Sequence, residues 1–166
     1  MEIKQATPYH LVDVLFLLKQ CITDMNSRGL KQWNSAFPGP ELIKKDIEGG
    51  GFHLCTNLGI AMGMINLTSE SPETYEEIKW KAEEGNFLYL NKFAVHPLWM
   101  DSDIPLKLIE YAEKFAIENK FTGIRLDVLD SYPVDKTFFE SRDFQYSGDF
   151  HTDFQKIPYM CYEERL

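Results

Sequence analysis

The chain has 166 residues, which is the size of one globular domain, and 44% of them are hydrophobic, enough for a substantial core. A formal net charge of -9 argues against nucleic acid and anionic membranes as main partners, because both need a basic surface. We therefore expect a single domain over residues 1–166 whose ligand is a neutral or cationic small molecule.

The number and spacing of the cysteines, together with the first residues of the sequence, indicate the cellular compartment. Cys21, Cys55 and Cys161 are far apart and lack the spacing of a metal site, so we expect reduced thiols. The first residues are typical of a strand rather than a signal segment, and no apolar run is long enough to cross a bilayer. The sequence predicts a cytoplasmic protein without a membrane partner.

The chain begins with a predicted strand and an amphipathic helix. The strand is expected over residues 2–7, and Thr7 is a favourable cap for a helix with Pro8 in its first turn. Apolar residues then recur at helical spacing until residues 27–29, where Ser-Arg-Gly ends the helix. The predicted apolar face of this helix consists of Leu11, Leu15, Leu18, Ile22 and Met25.

A second, polar helix is expected at 41–48, where the following glycines end it. Two apolar strands are predicted at 52–56 and 60–67, with Asn-Leu-Gly at 57–59 between them. A short connection of this composition is typical of a β-hairpin. This half of the sheet should therefore be antiparallel.

Residues 69–85 form an acidic segment that contains six glutamates. Such a run most simply keeps a surface hydrated, and we expect one or two helical turns around Trp80. A long strand follows at 87–95, with Tyr89 and Asn91 on one of its two alternating faces.

The second half of the chain alternates helices and strands. The pattern predicts a helix from 104 to about 119, a strand at 124–128, a short helix at 133–141, and strands at 144–150 and 160–164. This alternation implies a crossover with parallel pairing, whereas the hairpin is antiparallel. The predicted fold class is α/β, with a mixed sheet and helices on both of its faces.

The connection from the long strand to the next helix is the most informative part of the sequence. A strand, a loop and a helix N-terminus normally make an anion site, because free backbone N–H groups and the helix dipole point the same way. Here Asp101 and Asp103 stand where the anion would lie. Aspartates before a helix are also typical of an ordinary capped helix start, with Ser102 or Asp103 as the cap.

Four segments have informative patterns: residues 90–97 (Leu-Asn-Lys-Phe-Ala-Val-His-Pro), 124–128 (Ile-Arg-Leu-Asp-Val), 138–144 (Phe-Phe-Glu-Ser-Arg-Asp-Phe) and 162–166 (Tyr-Glu-Glu-Arg-Leu). Together they resemble the GCN5-related N-acetyltransferase (GNAT) family over essentially the whole chain. The first is similar to the strand whose splayed end grips the pantetheine arm of acetyl-CoA, and the second to the strand beside it. The resemblance implies a mostly antiparallel sheet splayed between two strands, and acetyl transfer from acetyl-CoA to a small amine.

The resemblance also implies the cofactor contacts. The family's pyrophosphate loop, Arg/Gln-x-x-Gly-x-Gly/Ala, aligns with residues 100–105. Met100 replaces the polar first residue, Asp103 the central glycine, and Pro105 the last small residue, which removes an N–H donor. The residues expected along acetyl-CoA are Phe93, Ala94, Val95, Met100, Asp101, Ser102, Asp103, Ile104 and Pro105.

Two aspartates near a pyrophosphate would repel it. At about 5 Å and an effective dielectric of about 20, each carboxylate costs about 3 kcal/mol, a large part of the roughly 8 kcal/mol that holds a micromolar ligand. Lys107, one turn into the helix, would offset part of this repulsion. We predict weak or absent binding of acetyl-CoA.

Two catalytic positions implied by the resemblance are altered. Phe139 stands where the family has the tyrosine proposed to protonate the departing thiolate, and phenylalanine has no acidic hydroxyl. Asn91 occupies the middle of the long strand, where a general base is expected, and cannot serve as one. We therefore assign no catalytic residue from the sequence. No metal site is predicted either, since Asp101 and Asp103 lack further ligands at matching spacing.

The acceptor side of the implied cleft has several candidates. Trp33 and Asn34 lie between the first two helices, a loop that faces the acceptor in the resembling fold, although Trp33 fits a lid over the core equally well. Trp80 and Tyr89 are further substrate-side candidates, because glutamates near Trp80 would attract an amine. A hydrated surface is still the favoured interpretation around Trp80.

Two functions are consistent with these observations. One is an acetyltransferase with a weakened donor site, in which co-binding alone supplies much of the acceleration. The other is a non-catalytic protein that keeps the fold and binds another small ligand or a protein partner.

Overall fold

The computed structural model describes residues 1–34, 36–129, 132–153 and 155–166, with side chains for all of these except residues 155 and 156. Every predicted helix and strand has a counterpart in this part of the chain. The strands are β1 (Glu2–Gln5), β2 (Phe52–Asn57), β3 (Ile60–Thr68), β4 (Phe87–Val95), β5 (Gly123–Leu129), β6 (Gln145–Thr152) and β7 (Gln155–Arg165). The helices are α1 (Leu11–Ser27), α2 (Pro40–Glu48), α3 (Ile104–Glu118) and α4 (Lys136–Glu140).

The described strands form a seven-stranded sheet in the order β1-β2-β3-β4-β5-β7-β6. Pairing is antiparallel between β1 and β2, β2 and β3, β5 and β7, and β6 and β7. β4 and β5 are parallel, and α3 provides the crossover connection that such a pair needs. The sheet is mixed and mostly antiparallel, which confirms the predicted fold class.

The predicted hairpin is confirmed. Asn57 of β2 pairs with Ile60 of β3, so Leu58 and Gly59 form a two-residue turn. Their φ angles are 50° and 81°, a combination that suits the right-handed twist of the two strands. Gly59 adopts its angle readily, because it has no Cβ atom.

The buried face of α1 differs from the prediction. The buried side chains of the helix are Val14, Leu17, Leu18, Cys21 and Met25. The prediction is therefore right at Leu18 and Met25, whereas Leu11, Leu15 and Ile22 are only half-buried. A leucine-rich helix has apolar residues on more than one side, and packing decides which side is covered.

Three element predictions are corrected. The acidic segment contains a 3₁₀ turn at Glu73–Tyr75 rather than helical turns around Trp80. α4 begins later than predicted, because the Asp135 side chain accepts a hydrogen bond from the N–H of Thr137 at 2.9 Å and so caps the helix. β7 is longer at its N-terminal end than the predicted strand.

β4 and β5 are paired over part of their length. The parallel ladder joins Phe87–Leu90 to Gly123–Leu126, and within the described residues it ends there. Both strands continue beyond this point. Asn91 and Asp127 are therefore the first residues of each strand after the ladder.

The chain divides into two compact units. The first consists of Met1–Asn66 and Lys92–Ile109, and the second of Leu67–Asn91 and Glu110–Leu166. Fully buried side chains in the first unit include Leu17, Met25, Ile43, Phe52 and Leu54. Fully buried side chains in the second unit include Leu88, Leu90, Tyr132, Phe139 and Tyr162.

Three further observations concern membranes, thiols and metals. None of the described helices is both long and apolar enough to cross a membrane. Cys21, Cys55 and Cys161 are buried and are not joined by disulfide bonds. Among the described residues, no three His, Cys, Asp or Glu side chains are arranged to hold a metal ion.

Candidate functional site

The connection from β4 to α3 lies in the first unit. After β4, His96 precedes a 3₁₀ turn at Pro97–Trp99, and its Nδ1 atom accepts a hydrogen bond from the N–H of Leu98 at 3.2 Å. Partial burial lowers the pKa of His96, which favours the neutral ring that can accept this bond. His96 therefore has a structural role in the turn.

Ser102 caps the N-terminus of α3. Its Oγ atom accepts a hydrogen bond from the N–H of Ile104 at 3.2 Å and donates one to the carbonyl of Trp99 at 2.6 Å. Asp103 occupies the N-cap position, because its carbonyl accepts the hydrogen bond from the N–H of Lys107, but the side chain that bonds to an N–H of the helix start is that of Ser102. A hydroxyl, not a carboxylate, performs this function.

The start of α3 offers little to a phosphate group. A helix N-terminus binds an anion through its first N–H groups, but the N–H of Ile104 is bonded to Ser102 and Pro105 has none. The N–H of Lys107 bonds to the carbonyl of Asp103 at 3.0 Å. The Lys107 ammonium forms an ion pair with the Asp103 carboxylate, so the loop itself engages this cation. The start of α3 therefore does not fit the pyrophosphate-binding loop that the resemblance implies.

Burial separates the predicted cofactor contacts into two groups. The side chains of Phe93, Ala94, Val95, Ile104 and Pro105 are buried. Asp101, Ser102 and Asp103 are exposed, and Met100 is half-buried with its Sδ atom 3.9 Å from the Arg28 guanidinium. The loop thus exposes two carboxylates and one hydroxyl, a set that favours no anion.

Lys92 interrupts β4 where the strand enters the first unit. Its φ angle of 52° is uncommon for a lysine. Its ammonium group forms a largely buried ion pair with Asp46 of α2 at 2.8 Å, which holds the side chain in place. The regular alternation of faces that the sequence predicts along β4 is therefore broken at this residue.

Phe139 is a core residue of the second unit. Its side chain is 0% exposed, and its ring lies 5.1, 5.5 and 5.2 Å from the rings of Phe138, Phe144 and Tyr162. It has neither a hydroxyl nor an exposed surface and donates no proton. Asn91, the candidate for the base position, is half-buried after the end of the ladder.

The second unit contains an acid–base pair that sequence reasoning missed. The hydroxyl of Tyr75 donates a hydrogen bond to Asp127 Oδ1 at 2.6 Å. Burial raises the pKa of Asp127 to about 6, and the bond from Tyr75 acts in the opposite direction. Burial and the nearby carboxylate raise the pKa of Tyr75 well above its usual value, so its hydroxyl keeps its proton. This pair can hold and exchange a proton near neutral pH.

The Tyr75–Asp127 pair was not predicted, because the two residues are far apart in the sequence. Tyr75 belongs to the acidic segment that was predicted to be a hydrated surface, yet Tyr75 and Ala82 are only 3% and 4% exposed. That prediction is wrong for these residues. The available signal was Asp127 itself, a charged residue within a strand between the buried Leu126 and Val128.

Arg125 and Glu163 hold the acidic segment in the second unit. Glu163 Oε1 accepts a hydrogen bond from the N–H of Ala82 at 2.8 Å, and Arg125 Nη2 donates one to the carbonyl of Ala82 at 2.6 Å. The Arg125 guanidinium also lies 4.5 Å from the ring centroid of Trp80. Trp80 is half-buried and packed, which corrects its interpretation as part of a hydrated surface.

The predicted substrate-side residues lie in different units. Trp80 and Tyr89, in the second, have ring centroids 5.0 and 6.0 Å from that of Tyr75. Trp33, in the first, is 5% exposed and belongs to the core, as the lid alternative requires. Asn34 is exposed, and its Oδ1 atom accepts a hydrogen bond from the N–H of Phe37 at 3.0 Å, which orders the loop.

The strand order, the parallel β4–β5 pair and the loop from β4 to α3 define the fold of the GNAT acetyltransferases. The structure is similar to a GNAT-family acetyltransferase from Streptococcus agalactiae, with a TM-score of 0.79 and 18% identity over 99% of this chain and 95% of that one. A GNAT-family acetyltransferase from Listeria monocytogenes gives a TM-score of 0.76 and 21% identity over 99% and 94% of the two chains.

A third similar structure was solved with coenzyme A. It is a PaiA N-acetyltransferase from Thermoplasma acidophilum, with a TM-score of 0.74 and 14% identity over 99% of this chain and 98% of that one. No family model matches the sequence, and no curated protein matches it. At these identities the shared property is the fold.

Proposed function

We propose that the chain is an N-acetyltransferase that transfers acetyl from acetyl-CoA to a small amine and binds the donor weakly. The observation that carries this proposal is Asp127, a half-buried carboxylate directly after the β4–β5 ladder, with the Tyr75 hydroxyl 2.6 Å from its Oδ1 atom. An ammonium group has to lose protons before it becomes an amide, and a carboxylate in this setting can accept one. The fold and the acid–base pair support the same class of reaction.

Weak donor binding follows from the start of α3. Acetyl-CoA would supply the activated acetyl group, but its pyrophosphate would meet the exposed Asp101 and Asp103 carboxylates and a helix start where the N–H of Ile104 is already bonded and Pro105 has none. Phe139 leaves the family's usual acid position without a hydroxyl. The chain's own acid–base chemistry therefore depends on Asp127 and Tyr75.

A second candidate function has a specific observation in its favour. The same loop, with a serine cap and an internal Asp103–Lys107 ion pair, is complete without an anion. A protein with this loop can keep the fold and bind another small ligand or a protein partner without catalysis. We further propose, from the net charge of -9, that neither nucleic acid nor a membrane is the partner, and, from the number and spacing of the cysteines, that the protein is cytoplasmic.

Titration with CoA tests the donor site. Trp99 borders the loop and is half-buried, so its fluorescence reports binding. We expect no saturation at low-micromolar CoA, and tighter binding by the variant D101G/D103G. The variant D101N/D103N separates the effect of charge from that of shape, and E41Q/E48Q controls for removal of two exposed charges elsewhere in the first unit. Low-micromolar saturation of the unmodified protein would contradict weak donor binding.

An acetylation assay tests the reaction itself. With acetyl-CoA at millimolar concentration and a panel of small primary amines, we expect slow release of free CoA together with acetylated amine. If no amine is acetylated at saturating donor, the acetyltransferase proposal is wrong and the non-catalytic function is favoured.

A further inference from the structure

The Asp127 carboxylate has no cationic partner among the described side chains. Its Oδ1 atom accepts the hydrogen bond from Tyr75, and no Lys, Arg or His forms an ion pair with it. The nearest arginine in sequence, Arg125, is bound to Glu163 at 2.8 Å and to the carbonyl of Ala82. A largely buried carboxylate without a counter-charge is costly, because little water remains to solvate it.

The titratable groups that face Asp127 do not compensate its charge. Tyr75 comes from the acidic segment, and Tyr159 and Cys161 come from β7, where Cys161 is the register partner of Asp127. Burial and the Asp127 charge raise the pKa of all three groups, so they are neutral at pH 7. Asp149 of β6 acts on Cys161 and adds negative charge. The electrostatic potential around Asp127 is therefore negative, which favours the binding of a cation there.

Aromatic rings surround the acid–base pair. The ring of Tyr75 has centroid distances of 5.0 Å to Trp80, 6.0 Å to Tyr89 and 6.5 Å to Phe150. Trp80, Tyr89 and Phe150 are half-buried, so each of these residues retains some accessible surface. Ammonium groups are attracted to such ring faces, and the attraction is stronger where water is scarce.

We propose that Asp127, with the rings of Tyr75, Trp80 and Tyr89, binds the ammonium group of a small primary amine in the second unit. The ammonium group supplies the counter-charge that the chain does not, and the rings cover its alkyl carbons. The interpretation of this amine as the acetyl acceptor rests on the proposed function. Binding itself needs no donor and is measured without one.

Matched variants test the site. Asp127→Asn is isosteric and keeps an oxygen that accepts the Tyr75 hydrogen bond, so it removes the charge and preserves the contact. The chain offers a matched control in the same unit, since the Tyr146 hydroxyl donates to Asp149 Oδ2 at 2.9 Å and both residues are exposed. Tyr146→Phe removes the hydroxyl of this second tyrosine–aspartate pair, outside the proposed site, and leaves the Asp149 charge in place.

Calorimetric titration uses butylamine and phenethylamine as probes, with butanol and phenethyl alcohol as neutral probes of similar shape. We expect the amines to saturate the protein and the alcohols to bind at least about tenfold more weakly, since a hydrogen bond to a charged group is lost. Asp127→Asn should weaken amine binding by at least about tenfold, and Tyr146→Phe should leave it unchanged. Equal binding by the unmodified protein and Asp127→Asn, or no saturation by either amine, would overturn the proposal.

A pH titration of the unmodified protein makes the test independent of variant folding. Amine binding should strengthen as the pH rises through about 6, where Asp127 ionises. Tyr75→Phe should move this rise to higher pH, because the hydroxyl lowers the pKa of Asp127. If the Tyr75–Asp127 pair had only a structural role, amine binding would not strengthen as the pH rises through about 6. If the protein binds the amine but does not acetylate it, the proposed function is wrong and the proposed amine site stands. If Asp127→Asn acetylates the amine at the rate of the unmodified protein, the proposed site is wrong.

Discussion

Arg125 and Glu163 form a buried ion pair between β5 and β7, with 2.8 Å between Nε and Oε2 and side chains that are only 10% and 1% exposed. Glu163 Oε1 and Arg125 Nη2 bond to the backbone N–H and carbonyl of Ala82, so the pair joins two strands to the acidic segment. That segment carries Tyr75 and Trp80. The candidate acceptor site in the second unit therefore depends on a charge network that lies outside it.

Removal of one partner of this pair should be strongly destabilising. Arg125→Met leaves the Glu163 carboxylate buried without a counter-charge, which costs about 3–5 kcal/mol in the free energy of unfolding. Urea denaturation measures this loss. Lys114→Met is the control, since the exposed Lys114–Glu118 pair contributes at most about 1 kcal/mol. The double variant R125M/E163L should recover part of the stability, and a double variant as unstable as R125M would contradict the electrostatic cause.

Glu164 should make stability depend on pH. Burial, together with the charge of Glu113, raises the pKa of Glu164 to about 7, and its Oε2 atom is buried without a hydrogen bond. Because the pKa in the folded state lies above the usual glutamate value of 4.5, the folded state binds the proton more tightly. The stabilisation from this proton is complete below about pH 4.5 and is lost as the pH rises through about 7.

The variant Glu164→Gln isolates this effect. It should be more stable than the unmodified protein at pH 8 and equally stable at pH 4, as measured by urea denaturation across this range. Glu118→Gln, an exposed glutamate of α3, is the control and should show no such difference. A difference between Glu164→Gln and the unmodified protein that is constant with pH would contradict the assignment.

Ser102 should matter more to α3 than either aspartate of its loop. Ser102→Ala removes the hydroxyl that bonds to the N–H of Ile104 and should cost about 1 kcal/mol. Asp101→Ala and Asp103→Ala should each change stability by less than about 0.5 kcal/mol, because both side chains are exposed and outside the cap. Thermal and urea unfolding measure the three variants together. A larger loss in Asp103→Ala than in Ser102→Ala would identify the carboxylate as the true cap.

Gly63 of β3 should control how closely α3 packs within the first unit. A Cβ atom at this position would lie 2.8 Å from Leu108 Cδ1 and 3.0 Å from Ile104 Cγ2. Gly63→Ala should therefore destabilise the protein by about 1–3 kcal/mol through overpacking. The double variant G63A/L108A removes one of the clashing groups, so its loss should be smaller than the sum of the two single losses. Strict additivity would show that the clash is absent.

Local patterns were sufficient for most of the fold. The bounds of β4, the two-residue turn at Leu58 and Gly59, and the apolar spacing of α3 each arise from residues close together in sequence, so they were predictable. The face of α1 was predicted only in part, because a leucine-rich helix leaves the choice of buried side to its neighbours. The start of α4 was missed because the Asp135 cap competes with the predicted first turn.

In the candidate site, too, features that depend on neighbouring residues were predictable and features that depend on distant residues were not. The chemistry of the donor loop was predictable, since Asp101, Asp103 and Pro105 are adjacent and a helix start has known needs. The choice of Ser102 over Asp103 as the cap required the observed hydrogen bonds. The Tyr75–Asp127 pair could not be predicted from the sequence, because the two residues are 52 positions apart.

The sequence by itself determined that this is a mixed α/β chain with two aspartates and a proline at the start of the helix after its long strand, because these properties depend on the identity and spacing of neighbouring residues. Only the tertiary structure decided that an acidic segment buries Tyr75 against Asp127. Burial and the hydrogen bond from Tyr75 set the pKa of that carboxylate, and both depend on residues brought together by folding.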